Sequence, residues 1–159
     1  MRSVDLDEVV RTLEEMGDIL EITDANPFQI MAYRNGAQSL AEWEGDLERA
    51  CREGKLTEIE GIGKGLSAMI GDLVLHGRSE ACERLRGTVP GTLRDLLQVP
   101  RLGPKRIRKL HRELGVSSIE GLEAAAREGR IRTLAGFGPK SEEQILSGID
   151  RARRYGRIS

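Results

Sequence analysis

Leu6, Val9, Val10, Leu13, Met16, Ile19 and Leu20 recur at steps of three and four residues, which predicts an amphipathic helix with one apolar stripe. Asp5 and Asp7 stand at its start, where carboxylates favour the positive end of the helix dipole. An Asp-x-Asp pair can also hold a metal, but the helical period beginning directly behind this one favours capping. Asn26-Pro27 opens a second helix as N-cap and first residue. Its inner face is expected to use Phe28, Met31, Ala32, Leu40 and Ala41, with Trp43 packing near its end. Further helices are predicted over 47–53, ended by Gly54, and over Lys64 to His76, stopped by Gly77. Others follow over 80–86, 92–98 and 104–114, the last ended by Gly115. Ser118 caps a helix running to Glu128, before Gly129. A final helix from Lys140 ends among Arg151, Arg153, Arg154 and Arg157. No segment alternates apolar and polar residues beside hairpin chemistry, so the fold class is all-α.

Three segments between these helices repeat one pattern. They are Ile59-Glu60-Gly61-Ile62-Gly63-Lys64, Val99-Pro100-Arg101-Leu102-Gly103-Pro104-Lys105 and Leu134-Ala135-Gly136-Phe137-Gly138-Pro139-Lys140. Each has an apolar residue, a tight x-h-Gly turn and a cation at the start of a helix. Glycine accepts positive φ and carries no Cβ to hold a ligand away. Such a turn aims free N–H groups at one point beside a helix N-terminus, which is a site for a phosphate oxygen. Pro104 and Pro139 suit first helical positions, where no N–H is needed. Lys64, Lys105 and Lys140 add charge beside the turn, and Ile62, Leu102 and Phe137 are expected to fold back and pin the flanking helices. The second copy has Arg101 where the others have glycine, which fits if its φ stays negative. The third has Ser141-Glu142-Glu143 after its lysine, less charge, and reads as the more structural copy. Pro90-Gly91 is the best linker signal. The expected architecture is two small helical domains built on helix–hairpin–helix motifs, over 1–89 and 90–159.

Charge sharpens this picture. The net charge is −1, yet residues 1–54 carry −8 and residues 55–159 carry +7. That asymmetry suggests a polyanion partner for one half. The densest basic run is Arg101, Lys105, Arg106, Arg108, Lys109 and Arg112. Aromatics are few (Phe28, Tyr33, Trp43, Phe137, Tyr155), which argues against stacking on bases as the main source of affinity. Cys51 and Cys82 have no ligand spacing around them and read as reduced thiols. No apolar run would span a bilayer, and the N-terminus lacks the apolar core of a signal peptide, so a cytoplasmic location is expected; a monomer is expected as well.

The stretch Asn26-Pro27-Phe28-Gln29-Ile30-Met31-Ala32-Tyr33-Arg34 resembles a signature of family X DNA polymerases, especially bacterial and archaeal forms. So do Gly54-Lys55-Leu56-Thr57-Glu58-Ile59, the hairpin behind it, and the second and third hairpins. The resemblance covers nearly the whole chain. It implies a lyase-type domain, then the helical subdomain that precedes the catalytic palm, and it adds Tyr33 and Arg34 to the DNA-contacting residues. The palm's metal-binding aspartates are not supplied here, so no polymerisation by this chain alone is expected; a truncated chain and a stand-alone relative both fit. In the family's animal members a lysine removes 5′-deoxyribose phosphate by Schiff-base chemistry. Its place falls on Met69, whose thioether forms no imine, and two phosphate-holding lysines fall on Gln29 and Gly65. The resemblance also implies a monovalent cation, Na⁺ or K⁺, on backbone carbonyls of Thr57, Ile59 and Ile62 and of Leu97, Val99 and Leu102.

These readings converge on sequence-independent DNA binding, on duplex, nicked, gapped or primer–template forms, in repair or gap filling. The residues expected to carry it are Gly61, Ile62, Gly63 and Lys64, then Arg101, Leu102, Gly103, Lys105, Arg106 and Lys109, then Gly136, Gly138 and Lys140. Phosphate contacts position a protein but carry no sequence information. Residual lyase activity, with Lys64 as the rescuing amine, and a protein-interaction module that keeps the fold are the alternatives. The acidic first half favours the latter.

Overall fold

The computed structural model describes residues 5–158, and every regular element among them is helical. The helices are α1 (Leu6–Ile22), α2 (Pro27–Glu42), α3 (Leu47–Glu53), α4 (Lys64–His76), α5 (Glu80–Arg86), α6 (Gly91–Arg94), α7 (Gly103–Leu114), α8 (Ile119–Arg127) and α9 (Pro139–Arg154). The chain divides into two compact units. One holds residues up to Glu21 and Ala25–Thr88; the other holds Val89 onward together with Ile22–Asp24.

In the first unit, Val9, Leu13, Met16, Ile19 and Leu20 of α1 are buried, as the three–four spacing requires. Asp5 accepts a hydrogen bond from the Glu8 amide at 2.9 Å and caps this helix. Asn26 caps α2 through the Phe28 amide, with Pro27 in the first turn. The inner face of α2 is not the expected one. Phe28 is 86% exposed, Met31 is 52% exposed, and Ala32 and Ala41 are exposed too. Leu40 is buried as expected, but its companions are Gly36 and Ala37, with Tyr33 half-buried one turn earlier. The reason is close approach. A Cβ on Gly36 would stand 2.5 Å from a Leu66 methyl and 3.6 Å from one of Ile62, so this face is shaped to admit α4 and the turn before it. Trp43 ends α2, half-buried, its ring over Gly45.

Arg34 crosses back from α2 to α1. Its guanidinium lies against Gly17 and pairs with Asp18 at 2.7 Å and Glu21 at 2.8 Å. Arg86 of α5 makes a two-pronged pair with Glu15 of α1, at 2.8 and 3.0 Å. Both guanidiniums are held in the charged form by these carboxylates, against the cost of their own burial.

In the second unit, Leu93, Leu96, Val99, Leu102, Ile107 and Leu110 form one core with Ile119, Leu122, Ile131, Ile145 and Ile149. Ser118 caps α8 through the Gly121 amide. The predicted helix over 92–98 is two pieces, α6 and a 3₁₀ turn over Asp95–Gln98. Two further 3₁₀ turns, Leu56–Glu58 and Ile131–Thr133, were not predicted. Glu142 is buried at 2% exposure and accepts from the Arg132 amide at 2.9 Å and its guanidinium at 2.6 Å. The Arg132 guanidinium beside it is the main cause holding the Glu142 carboxyl below its ordinary value of 4.5. A carboxylate with a lowered folded pKa stabilises fully above its unfolded value and loses that stabilisation as pH falls through the folded one. Glu142→Gln is therefore expected to lower the melting temperature at neutral pH. The difference from the parent protein should shrink well below pH 4.5; melts across that range check it, and a gap that stays constant to acid pH would refute the ionic account.

Candidate nucleic-acid interface

The three repeated segments share more than sequence. Each begins with a 3₁₀ turn whose buried apolar residue (Leu56, Leu96 or Ile131) anchors it in the core. Each then closes an identical four-residue turn: Ile62 donates to the Ile59 carbonyl, Leu102 to Val99 and Phe137 to Leu134, at 3.0, 3.3 and 3.2 Å. The third residue of each turn has positive φ, +94° at Gly61, +66° at Arg101 and +87° at Gly136. That is the type II requirement, and Pro100 sits where such turns favour proline. Arg101 therefore does not keep the negative φ expected of it. The turn imposes the left-handed region on a residue with a Cβ, at a cost of roughly 1–3 kcal/mol.

The second corners diverge. Gly63 and Gly138 are extended, with φ −87° and −143°, whereas Gly103 has φ +73°. The pins diverge too. Ile62 and Leu102 are buried at 4% and 3% exposure. Phe137 is only half-buried, under the Arg106 guanidinium 5.2 Å from its ring centre.

The amides decide what each corner can hold. At the first hairpin, the N–H groups of Gly63, Lys64 and Gly65 meet no acceptor among the described residues, and all three residues are exposed. They open the 13-residue α4 beside the Lys64 ammonium, and a Cβ on Gly63 or Gly65 would meet nothing within 4 Å. Free donors, a helix dipole, an ammonium and open space together make an oxyanion site. At the second hairpin the Gly103 amide is likewise without an acceptor among the described residues, and Lys105 and Arg106 are exposed beside it. The third hairpin differs. Its Gly138 amide donates to the Ser141 hydroxyl at 3.2 Å, Pro139 has no N–H, and Lys109 of α7 donates to the Ala135 carbonyl at 2.6 Å. This corner is tied to the protein itself.

The other expected site residues fall in different places. Arg106 and Lys109 turn toward the third hairpin, and Arg34 is spent on Asp18 and Glu21. Tyr33 is half-buried, and desolvation raises its hydroxyl pKa. Of the basic run, Arg108 and Arg112 pair with Asp24 at 3.0 and 3.1 Å. Met69 is buried, and with Gly65 it lines a cavity of about 570 Å³ that also carries Asp72, His76 and Arg84. The lining of this cavity contains no lysine. Gln144 and Ser147, which sequence reasoning did not single out, line a crevice behind the second hairpin together with Arg151 of the basic helix end. Their spacing along α9 was the available signal. The thiols of Cys51 and Cys82 are both free, and burial raises each pKa. No described helix is long and apolar enough to cross a membrane, and no cluster of three metal-ligating side chains occurs among the described residues.

Comparison with known proteins agrees with this geometry. Residues 6–79 match the model of a helix-hairpin-helix domain, and residues 93–151 match that of a SAM-like helix-hairpin-helix tandem. The chain is also 37% identical over 145 residues, 91% of its length, to the DNA polymerase/3′-5′ exonuclease PolX of Bacillus subtilis (strain 168). It spans 25% of that relative's length.

Proposed function

We propose that this chain, with its two helix-hairpin-helix regions and its likeness to part of a DNA polymerase/3′-5′ exonuclease, belongs with the family X DNA polymerases and grips DNA through backbone phosphates without reading sequence. The observation that carries this is the first hairpin: three consecutive exposed amides without acceptors, at a helix start, beside Lys64. The Gly103 corner is a second such contact. Lys105 and Arg106 supply the nearby charge, and Lys140 adds to it at the third hairpin. The amides present the same face to any nucleotide, because phosphate is common to all of them. The substrates that suit two phosphate grips are nicked, gapped or primer–template DNA in repair synthesis. Tyr33 and Arg34 serve by fixing α2 against its neighbours.

The chain's part in this is holding, with no chemistry of its own. By the family resemblance the Schiff-base lysine's place falls on Met69, which is buried, and a thioether forms no imine with an aldehyde. A monovalent cation would sit on the hairpin carbonyls. Those of Thr57, Ile62, Leu97 and Leu102 accept no backbone hydrogen bond among the described residues, and those of Ile59 and Val99 accept one each. Both sets therefore fit a hard cation, which would bridge the turn to a phosphate oxygen.

The test is DNA affinity as a function of salt, on unrelated sequences and on gapped and intact duplex. The log–log slope should steepen by roughly 0.9 per phosphate neutralised and be the same for every sequence. Borohydride treatment on abasic DNA should trap no covalent adduct. Absence of binding near 50 mM salt, a range where phosphate grips are strong, would turn the reading to a protein-interaction module.

A further inference from the structure

The second unit holds a basic crevice of about 270 Å³ between the second hairpin's turn and α9. Pro100 and Arg101 form one wall, and Lys140, Gln144, Ser147 and Arg151 form the other, spaced so that one stripe of α9 faces the turn. Gly148 sets the width. A Cβ there would stand 3.1 Å from a Val99 methyl and 3.4 Å from Pro100, so only glycine lets the helix come this close.

Three cations, Arg101, Lys140 and Arg151, line this space, and none of their side chains has an ion pair or hydrogen bond among the described residues. Their neighbours are different: Arg153 pairs with Glu123, Arg154 with Asp150 and Arg132 with Glu142. Glu143 is the one carboxylate in the lining, leaving the crevice at a formal +2. Like charges gathered in a concave wall repel unless an anion joins them, and such a wall concentrates the field. Arg101 adds a second argument. The other two hairpins place glycine at its position, and this one keeps an arginine there in the left-handed region. Strain kept at a cation that lines a crevice is a reason to look for a role of that side chain.

We propose that this crevice is a second phosphate-binding site, separate from the hairpin amides. Arg101, Lys140 and Arg151 supply charge, and the Gln144 amide and Ser147 hydroxyl supply directed donors. Its ligand is a phosphate of the DNA strand, so the assignment to DNA rests on the reading above, while the phosphate chemistry does not.

The experiment has two parts. The ¹⁵N-labelled chain is titrated with inorganic phosphate, and the amides of Gln144, Ser147 and Arg151 are expected to shift in the parent and not in Arg151→Ala. Affinity for gapped duplex is then compared. Arg151→Ala and Arg101→Gly should each weaken it about three- to tenfold and flatten the log–log salt slope by about 0.9, while Glu143→Gln strengthens it. The melting temperature of Arg101→Gly should equal or exceed the parent's, since glycine removes the strain; a structural role for Arg101 would lower it. Tighter binding to a 5′-phosphorylated gap end than to an unphosphorylated one assigns the site to a terminal phosphate; equal binding assigns it to an internal phosphodiester. If DNA fails to bind but inorganic phosphate still shifts these amides, the crevice stands and the DNA reading falls. Unshifted amides with parental affinity in both variants would overturn the proposal.

Discussion

Gly63→Val is expected to weaken DNA binding by about one to two orders of magnitude and to leave the melting temperature nearly unchanged. The backbone at Gly63 is extended, which valine adopts readily, and a Cβ there meets nothing within 4 Å. The folded protein therefore has no objection to the side chain. A phosphate does, because the added methyls occupy the space in front of the Gly63, Lys64 and Gly65 amides. Hydrogen bonds to a charged acceptor contribute about 1.5–3 kcal/mol, and each 1.4 kcal/mol is tenfold in affinity. The glycine two residues earlier is the control. Gly61 has φ +94°, and a Cβ there would stand 2.7 Å from the Ser39 hydroxyl, so Gly61→Val should cost about 1–3 kcal/mol of stability whatever it does to DNA. Gly138→Val should do little to affinity, since Ser141 already takes the Gly138 amide. Equilibrium titrations with a fluorescent duplex, beside thermal melts, separate the three. Parental affinity in Gly63→Val would remove the first hairpin from the interface.

That experiment isolates what could be read from the residues and what could not. Helix starts and stops were legible because single residues enforce them. Asn26, Ser118, Gly54, Gly77 and Gly115 cap as their chemistry dictates, the three glycines all with positive φ. The hairpins were legible because their pattern recurs, yet their inequality was not. Whether the Gly138 amide is free depends on a serine three residues on, and the direction in which Arg106 leans depends on where Phe137 lies. Three-residue 3₁₀ turns carry no period to detect. The inner face of α2 was misread for a physical reason. This helix meets Leu66 and Ile62 so closely that Gly36 and Ala37 face the core beside Leu40, and Phe28 and Met31 are left outside. Arg101 was misplaced because the turn's hydrogen bond, not the residue's preference, sets its φ.

The largest stability losses are expected at the pins of the turns, in an order set by burial and not by motif position. Ile62 and Leu102 are nearly inaccessible, so Ile62→Ala and Leu102→Ala each leave a cavity and should cost about 2–5 kcal/mol. Ile62 lies within reach of Gly36, with Leu66 packed on the same helix face, so its loss frees the first turn from the support that aims its amides. Ile62→Ala should therefore lose DNA affinity as well as stability, where Gly63→Val loses affinity alone. Phe137 occupies the same place in the third turn but is half-buried, and part of its contact is with the Arg106 guanidinium. Phe137→Ala should cost less than either aliphatic pin, although phenylalanine is the largest of the three and a buried one would cost most. Chemical denaturation of the three variants gives the order directly. A Phe137→Ala loss equal to the other two would mean that the ring is as deeply packed as its counterparts and that the third hairpin is built like the first.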